Sequence, residues 1–122
     1  MTDPAHDLRT VLASLAPYAG SDPAHTMVDL VRCIGHLCDV DLDATHAMPM
    51  LDVEAALKLW RRTSIALQQD LCARVDLAAQ SHDGVGVECA RDRIAVVEDC
   101  ARRLGPRWQV LLLRAPHVGG AR

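Results

Sequence analysis

The side chains best suited to bind a metal or to undergo redox chemistry lie close together, at Cys33, His36 and Cys38. Cys33 and His36 are three residues apart and share a helix face, whereas Cys38 points elsewhere. A structural zinc site needs four nitrogen or sulfur ligands, and the sequence contains no CxxC or HxxxH pair. We therefore expect no metal and no cofactor, and the three residues are weak candidates only. The cysteines are better explained as small buried apolar side chains. Further ligands would have to come from other helices, from His46, Cys72, Cys89 or Cys100.

The number of cysteines and the start of the chain both indicate a reducing compartment. Five cysteines cannot all pair within one chain. The opening sequence MTDPAHDLRT lacks the basic and then apolar segments of a secretory signal. No apolar run approaches the ~20 residues that a membrane-spanning helix needs. We expect an intracellular, cytoplasmic protein with reduced thiols and no membrane association.

Patterns that mark common enzymes and nucleic-acid-binding proteins are missing. No serine lies in a nucleophile-elbow context, and Gly84-Val85-Gly86 lacks the residues that complete a phosphate-binding loop. No Glu-x-x-His pair suggests a di-iron bundle. The net charge of −3 and the near absence of aromatic residues make nucleic acid an unlikely partner. We lean against an enzyme. The arginines that could contribute to nucleic-acid binding are Arg61, Arg62, Arg91, Arg93, Arg102, Arg103 and Arg107.

Composition and periodicity favour an all-α protein, a four-helix bundle-like domain over residues 1–115 with a flexible tail at 116–122. There is no Phe, and a core of Leu, Val, Ala, Ile and Met suits closely packed helices. The longest helical pattern is Val53–Gln80, with Asp52 as N-cap, which predicts one long central helix over about 52–81. Apolar residues off its main stripe widen its apolar surface beyond a two-stranded seam, namely Leu59, Ile65, Cys72 and Leu77.

Local signals predict where the other helices begin and end. Asp-Pro-Ala-His occurs twice, at 3–6 and 22–25, and predicts two helices that start at Pro4 and Pro23 behind an Asp N-cap. These helices would run to about Ala16 and Val40. Gly84, in a left-handed conformation, would end the long helix. A fourth helix over Val87–Leu104 would stop at Gly105–Pro106. Residues 107–114 would then form a short helix or an extended arm.

The function that these features favour is a non-catalytic protein–protein interaction or assembly module that forms a homo-oligomer or binds a protein partner. Charge asymmetry supports it, since residues 1–52 carry −6 and residues 53–122 carry +3. Two alternatives stay open. One is a small-ligand-binding protein or enzyme with a pocket between helices, and the other is a Cys/His metal or thiol sensor. The predicted interface residues are Trp60, Leu67, Leu71, Ile94, Val97 and Trp108.

Overall fold

The computed structural model describes residues 3–20, 22–42 and 49–114, and all regular structure in these ranges is helical. The helices are α1 (Pro4–Leu15), α2 (Ala24–Leu37), α3 (Val53–Gln80) and α4 (Gly84–Arg114), with one 3₁₀ turn at Ala16–Tyr18. The all-α, bundle-like prediction is confirmed, and so is the long helix at 52–81. The predicted tail at 116–122 lies outside the described residues, as does His46. Within the described ranges, no helix combines the length and apolar character that a bilayer crossing requires.

α1 packs against α3 in the antiparallel direction. Near the start of α1, Asp7 pairs with Arg62 at 3.8 Å. Near its end, the buried Ser14 hydroxyl accepts a 2.9 Å hydrogen bond from the backbone N–H of Leu51, just before α3. The same hydroxyl donates to the Thr10 carbonyl at 2.7 Å, so this polar group is satisfied inside the core. Two points of contact at opposite ends of α1 therefore fix its direction along α3.

α2 packs against α4, also in the antiparallel direction. Arg114, at the end of α4, donates to the Asp22 carbonyl just before α2 at 2.9 Å. Arg93, in the first half of α4, donates to the Leu37 carbonyl at the end of α2 at 3.3 Å. α3 and α4 pack on each other as a hairpin, and α1 also contacts α2. The four helices therefore form a ring in which each one touches two neighbours.

The predicted N-caps are confirmed at two of three helices. The Asp3 carboxylate accepts from the N–H of Ala5 at 3.0 Å, and that of Asp52 accepts from Ala55 at 2.7 Å. The repeated motif predicts the same cap at Asp22, and this is wrong. α2 begins one residue later than predicted, and its N-cap position is held by Pro23, whose side chain cannot accept a hydrogen bond.

The prediction that Gly105–Pro106 ends the fourth helix is wrong, and so is the alternative of an extended arm after it. α4 continues through Pro106 to Arg114. A proline inside a helix costs about 3 kcal/mol through a lost hydrogen bond and a steric clash. Leu104, Trp108 and Leu111 lie on one face and are 0%, 1% and 3% exposed. Each such side chain gains roughly 1.5–3 kcal/mol or more from burial, so packing outweighs the proline.

The turn between α3 and α4 differs from the prediction at Gly84. The left-handed residue is His82, with φ of 55°, and Gly84 is the first residue of α4. Asp83 caps the new helix, because its carboxylate accepts from the N–H of Gly86 at 2.9 Å. The turn is therefore only three residues long, Ser81 to Asp83, and it holds the two long helices in a tight hairpin.

Helix lengths divide the molecule into two regions. At 1.5 Å per residue, α1 and α2 are roughly 18 and 21 Å long, whereas α3 and α4 are roughly 42 and 46 Å long. The four-helix region comprises α1, α2 and the parts of the hairpin at 53–71 and 97–114. The distal hairpin, residues 72–96, extends beyond it. All of those residues are described, and Ala90 is the only one that is buried.

Candidate functional site

The three weak metal candidates do not converge on one site. Cys33 and His36 are exposed on α2, whereas Cys38 is buried at the C-cap of that helix. Among the residues that the structure describes, no three His, Cys, Asp or Glu side chains are placed to hold a metal ion together. Burial raises the pKa of the Cys38 thiol to about 11, with Arg74 opposing the shift. Cys38 is therefore protonated at neutral pH and is a poor nucleophile.

A pair of thiols that the sequence did not predict lies between α2 and α4. The side chain of Cys33 lies close enough to that of Cys100, which is 4% exposed, to influence its thiol. Burial is the main cause that raises the pKa of the Cys100 thiol to about 11, and the neighbouring Cys33 adds to it. The two residues are far apart in sequence, so no spacing rule links them. Only the antiparallel register of α2 and α4 brings them together.

A cluster of charged residues lies where the four-helix region meets the distal hairpin. Asp39 follows α2 with a left-handed φ of 58°. One of its carboxylate oxygens accepts from Arg74 of α3 at 2.7 Å and from Arg93 of α4 at 3.0 Å. The hydrogen bond from Arg74, and then that from Arg93, lowers the pKa of Asp39 below its usual value. We call these three residues the Asp39 clamp.

The arginines of the Asp39 clamp also donate hydrogen bonds to backbone carbonyls at the end of α2. The last carbonyls of a helix lack partners within the helix and carry partial negative charge. Arg74 donates to the Cys38 carbonyl and Arg93 to the Leu37 carbonyl, both at 3.3 Å. Both guanidinium groups are therefore engaged by α2. The clamp ties three helices together, and we assign it a structural role.

Most of the predicted interface residues lie in the core of the single chain. Val97 and Trp108 are each 1% exposed, and Ile94 is half-buried. The remaining three lie along the inward face of α3 and are also buried. Their contacts within the chain account for their apolar character, and any part they play between chains stays a prediction. These three are Trp60, Leu67 and Leu71.

Large apolar side chains that face solvent are concentrated on the two long helices. Apart from Met50 before α3, every exposed large aliphatic residue in the described ranges lies on α3 or α4. The sequence indicated part of this exposed apolar surface, since Ile65 and Leu77 lie off the main apolar stripe of the long helix. Residues at i and i+3 or i+4 share a helix face, and on α4 that spacing produces a second stripe away from the core. We call this the α4 outer stripe, which consists of Val85, Cys89, Asp92, Val96, Asp99, Arg103, Pro106 and Val110, all of them exposed.

The clefts on the surface are shallow and open to solvent. One lies between α3 and α4, and two charged side chains that line it, those of Glu98 and Arg102, are exposed to solvent. Another lies on α3 around Ile65 and Cys72. Neither contains a buried titratable group of the kind that catalysis uses. These clefts give little support to the pocket-based alternative.

Comparison of the chain with protein-family models, with curated proteins and with solved structures gives no match. The function must therefore be argued from the residues and their arrangement.

Proposed function

We propose that the chain is a non-catalytic helical assembly module that associates with a second copy of itself along the α4 outer stripe. The observation that carries the proposal is the exposure of this stripe. Val85 is 74% exposed, Val96 43% and Val110 37%, although each occupies a regularly spaced position on one face of a long helix. An apolar stripe of this kind is stabilised when another helix covers it.

The arrangement of residues along the stripe favours a second copy over an unrelated partner. Val85 and Val110 lie at equal distances on either side of a midpoint between Val97 and Glu98. Asp92 and Arg103 have the same midpoint. If two α4 helices pack antiparallel about a two-fold axis there, Val85 faces Val110 of the partner subunit and Asp92 faces the partner's Arg103. A two-fold interface needs a surface that is complementary to itself in this way.

The charged positions strengthen this reading. Asp92 and Arg103 are exposed, and neither forms an ion pair within the part of the chain that the structure describes. Each would gain a partner in the antiparallel dimer, and the two-fold axis would create both pairs. Exposed ion pairs contribute about 0.2–1 kcal/mol each, and association itself costs several kcal/mol. We therefore expect a weak dimer whose population depends on concentration. The five unpaired cysteines support a reducing, intracellular setting for it.

Charge reversal tests this geometry directly. Asp92→Arg and Arg103→Asp should each weaken the dimer, because each places like charges opposite one another. The double variant should restore it, since the swapped charges again attract. Sedimentation equilibrium over a wide concentration range measures the effect. The matched control is Arg91→Asp, which reverses an exposed charge of α4 outside the stripe and should leave association unchanged.

The outcomes separate two levels of the proposal. A wild-type chain that stays monomeric at millimolar concentration would overturn self-association. A wild-type dimer that the single charge reversals do not weaken would reject the antiparallel α4 geometry. Ile65→Glu would then test whether the apolar surface around Ile65 on α3 forms the interface instead, because a buried carboxylate there would disrupt the dimer.

A further inference from the structure

Cys33 and Cys100 occupy facing positions on two antiparallel helices. At one end of the α2–α4 contact, Arg114 reaches Asp22, and at the other end Arg93 reaches Leu37. The register between these two points places Cys33 opposite the turn of α4 that contains Cys100. The influence of Cys33 on the pKa of the Cys100 thiol agrees with this register. Two cysteines that face each other between packed helices can be bridged by a disulfide when their Cα atoms lie within about 7 Å.

The two thiols differ in accessibility in a way that suits stepwise oxidation. Cys33 is exposed, so reagents in solution can reach it. Cys100 is 4% exposed and lies beside Cys33. A small oxidant therefore meets Cys33 first, and Cys100 is placed to react with whatever forms there. This is the arrangement of an attacking cysteine and a resolving cysteine.

We propose that Cys33 and Cys100 form a reversible disulfide that links α2 to α4 when the protein meets a small-molecule disulfide. The Cys33 thiolate attacks one sulfur of the reagent, forms a mixed disulfide and releases the first reagent thiolate. Cys100 then loses its proton to solvent, and its sulfur attacks the Cys33 sulfur and expels the second thiolate. The two protons lost by the cysteines are taken up by the two released thiolates. Two electrons pass from the protein to the reagent disulfide.

The other cysteines lack these features. Cys38 is buried at the end of α2, so a reagent in solution does not reach its thiol directly. Cys72 and Cys89 are exposed on α3 and α4. Exposed thiols of this kind form mixed disulfides with a reagent, and a resolving thiol is needed to convert a mixed disulfide into an internal link.

Thiol counting tests the proposal in a background without the exposed hairpin cysteines. In the full-length Cys72→Ser/Cys89→Ser variant, oxidised glutathione should lower the number of thiols titrated in denaturant from three to one. Peptide mass mapping should identify a link between Cys33 and Cys100 with no retained glutathione. Dithiothreitol should restore all three thiols. The oxidised form should melt at a higher temperature than the reduced form, because the link constrains the unfolded chain.

Matched variants separate closure from simple modification. With Cys100→Ala in the same background, glutathione should remain attached at Cys33, because the resolving thiol is missing. If that variant does not fold, mapping of the parent background decides the question alone. Glutathione retained at Cys33, or a link from Cys33 to Cys38, would overturn the proposal. The closure should also persist in Val96→Glu, which disrupts the α4 outer stripe, so its outcome is independent of self-association.

Discussion

The four-helix region and the distal hairpin are built from the same two long helices, yet they differ sharply in burial. Leu71 is fully buried, whereas Leu77, less than two turns later on α3, is 63% exposed. The difference arises because α1 begins beside Arg62 of α3 and α2 ends at the Asp39 clamp. Nothing in the described chain covers the hairpin beyond these points. Helical pattern sets where α3 runs, but neighbouring helices decide which of its residues are buried.

This comparison predicts that stability is concentrated in the four-helix region. Trp108 is the largest fully buried side chain. Its replacement by alanine should lower the unfolding free energy of the protein by about 3–5 kcal/mol. Val85→Ala, at a 74% exposed position in the distal hairpin, should change stability by less than about 0.5 kcal/mol. Urea unfolding followed by circular dichroism measures both. Similar losses in the two variants would show that the distal hairpin is packed against something in solution.

Trp108→Phe refines this test. The indole Nε1 of Trp108 is buried without a hydrogen-bond partner among the described residues. Phenylalanine removes this unsatisfied donor while keeping most of the apolar volume. We expect a smaller loss than for Trp108→Ala. An equal loss would mean that the indole N–H has a partner after all.

The second prediction concerns the part of α4 where packing outweighs local propensity. Pro106→Ala should stabilise the protein by about 1–3 kcal/mol, because the helix regains a hydrogen bond and loses a clash. Thermal unfolding of the variant measures the change. Gly105→Ala is the neighbouring control. No atom lies within 4 Å of a methyl group added there, so only the helix propensity gain of about 0.5–1 kcal/mol is expected. Destabilisation by Pro106→Ala would indicate that the protein needs a bend at this point.

Sequence patterns predicted the elements whose formation depends on local features. Asp52 as a cap and the uninterrupted pattern after it place α3 correctly, because both signals act within a few residues. The end of α4 was predicted wrongly at Pro106. The helix continues because Trp108 is buried, and that burial depends on α2 and α3 rather than on the sequence neighbours of Trp108. The Cys33–Cys100 pair was missed for the same reason. Spacing within a helix cannot show which residues two distant helices bring together.

The exposed side of α4 shows the opposite limitation. The regular stripe through Ile94 and Val97 correctly indicates an amphipathic helix, and Val96 widens it. Periodicity alone does not distinguish the face that packs within the chain from one available to another chain. Val97 is buried, whereas Val96, its neighbour in sequence, is exposed. The candidate interface therefore lies on the side of α4 that carries Val96 and not on the side of the predicted stripe, which carries Val97.

The smallest predicted effect lies at the boundary between the two regions. Asp39→Asn removes the negative charge of the Asp39 clamp while keeping a residue type that tolerates the left-handed φ of 58°. The carboxylate and its two arginines are partly exposed, so solvent screens the interaction. We expect a loss of about 0.5–1 kcal/mol at pH 7, near the upper end for exposed ion pairs. Equilibrium urea unfolding of the two proteins measures it.

The pH dependence of this effect identifies its electrostatic part. The pKa of Asp39 is lowered in the folded protein from 3.8, so its contribution is fully present above that value. The contribution is lost as the pH falls through the lower pKa of the folded state. The difference between wild type and Asp39→Asn should therefore be constant from pH 7 to about pH 5 and shrink below pH 4. A difference that persists unchanged at pH 2 would mean that Asp39 acts through its shape at the end of α2. The clamp would then mark the boundary of the four-helix region without holding the distal hairpin to it by charge.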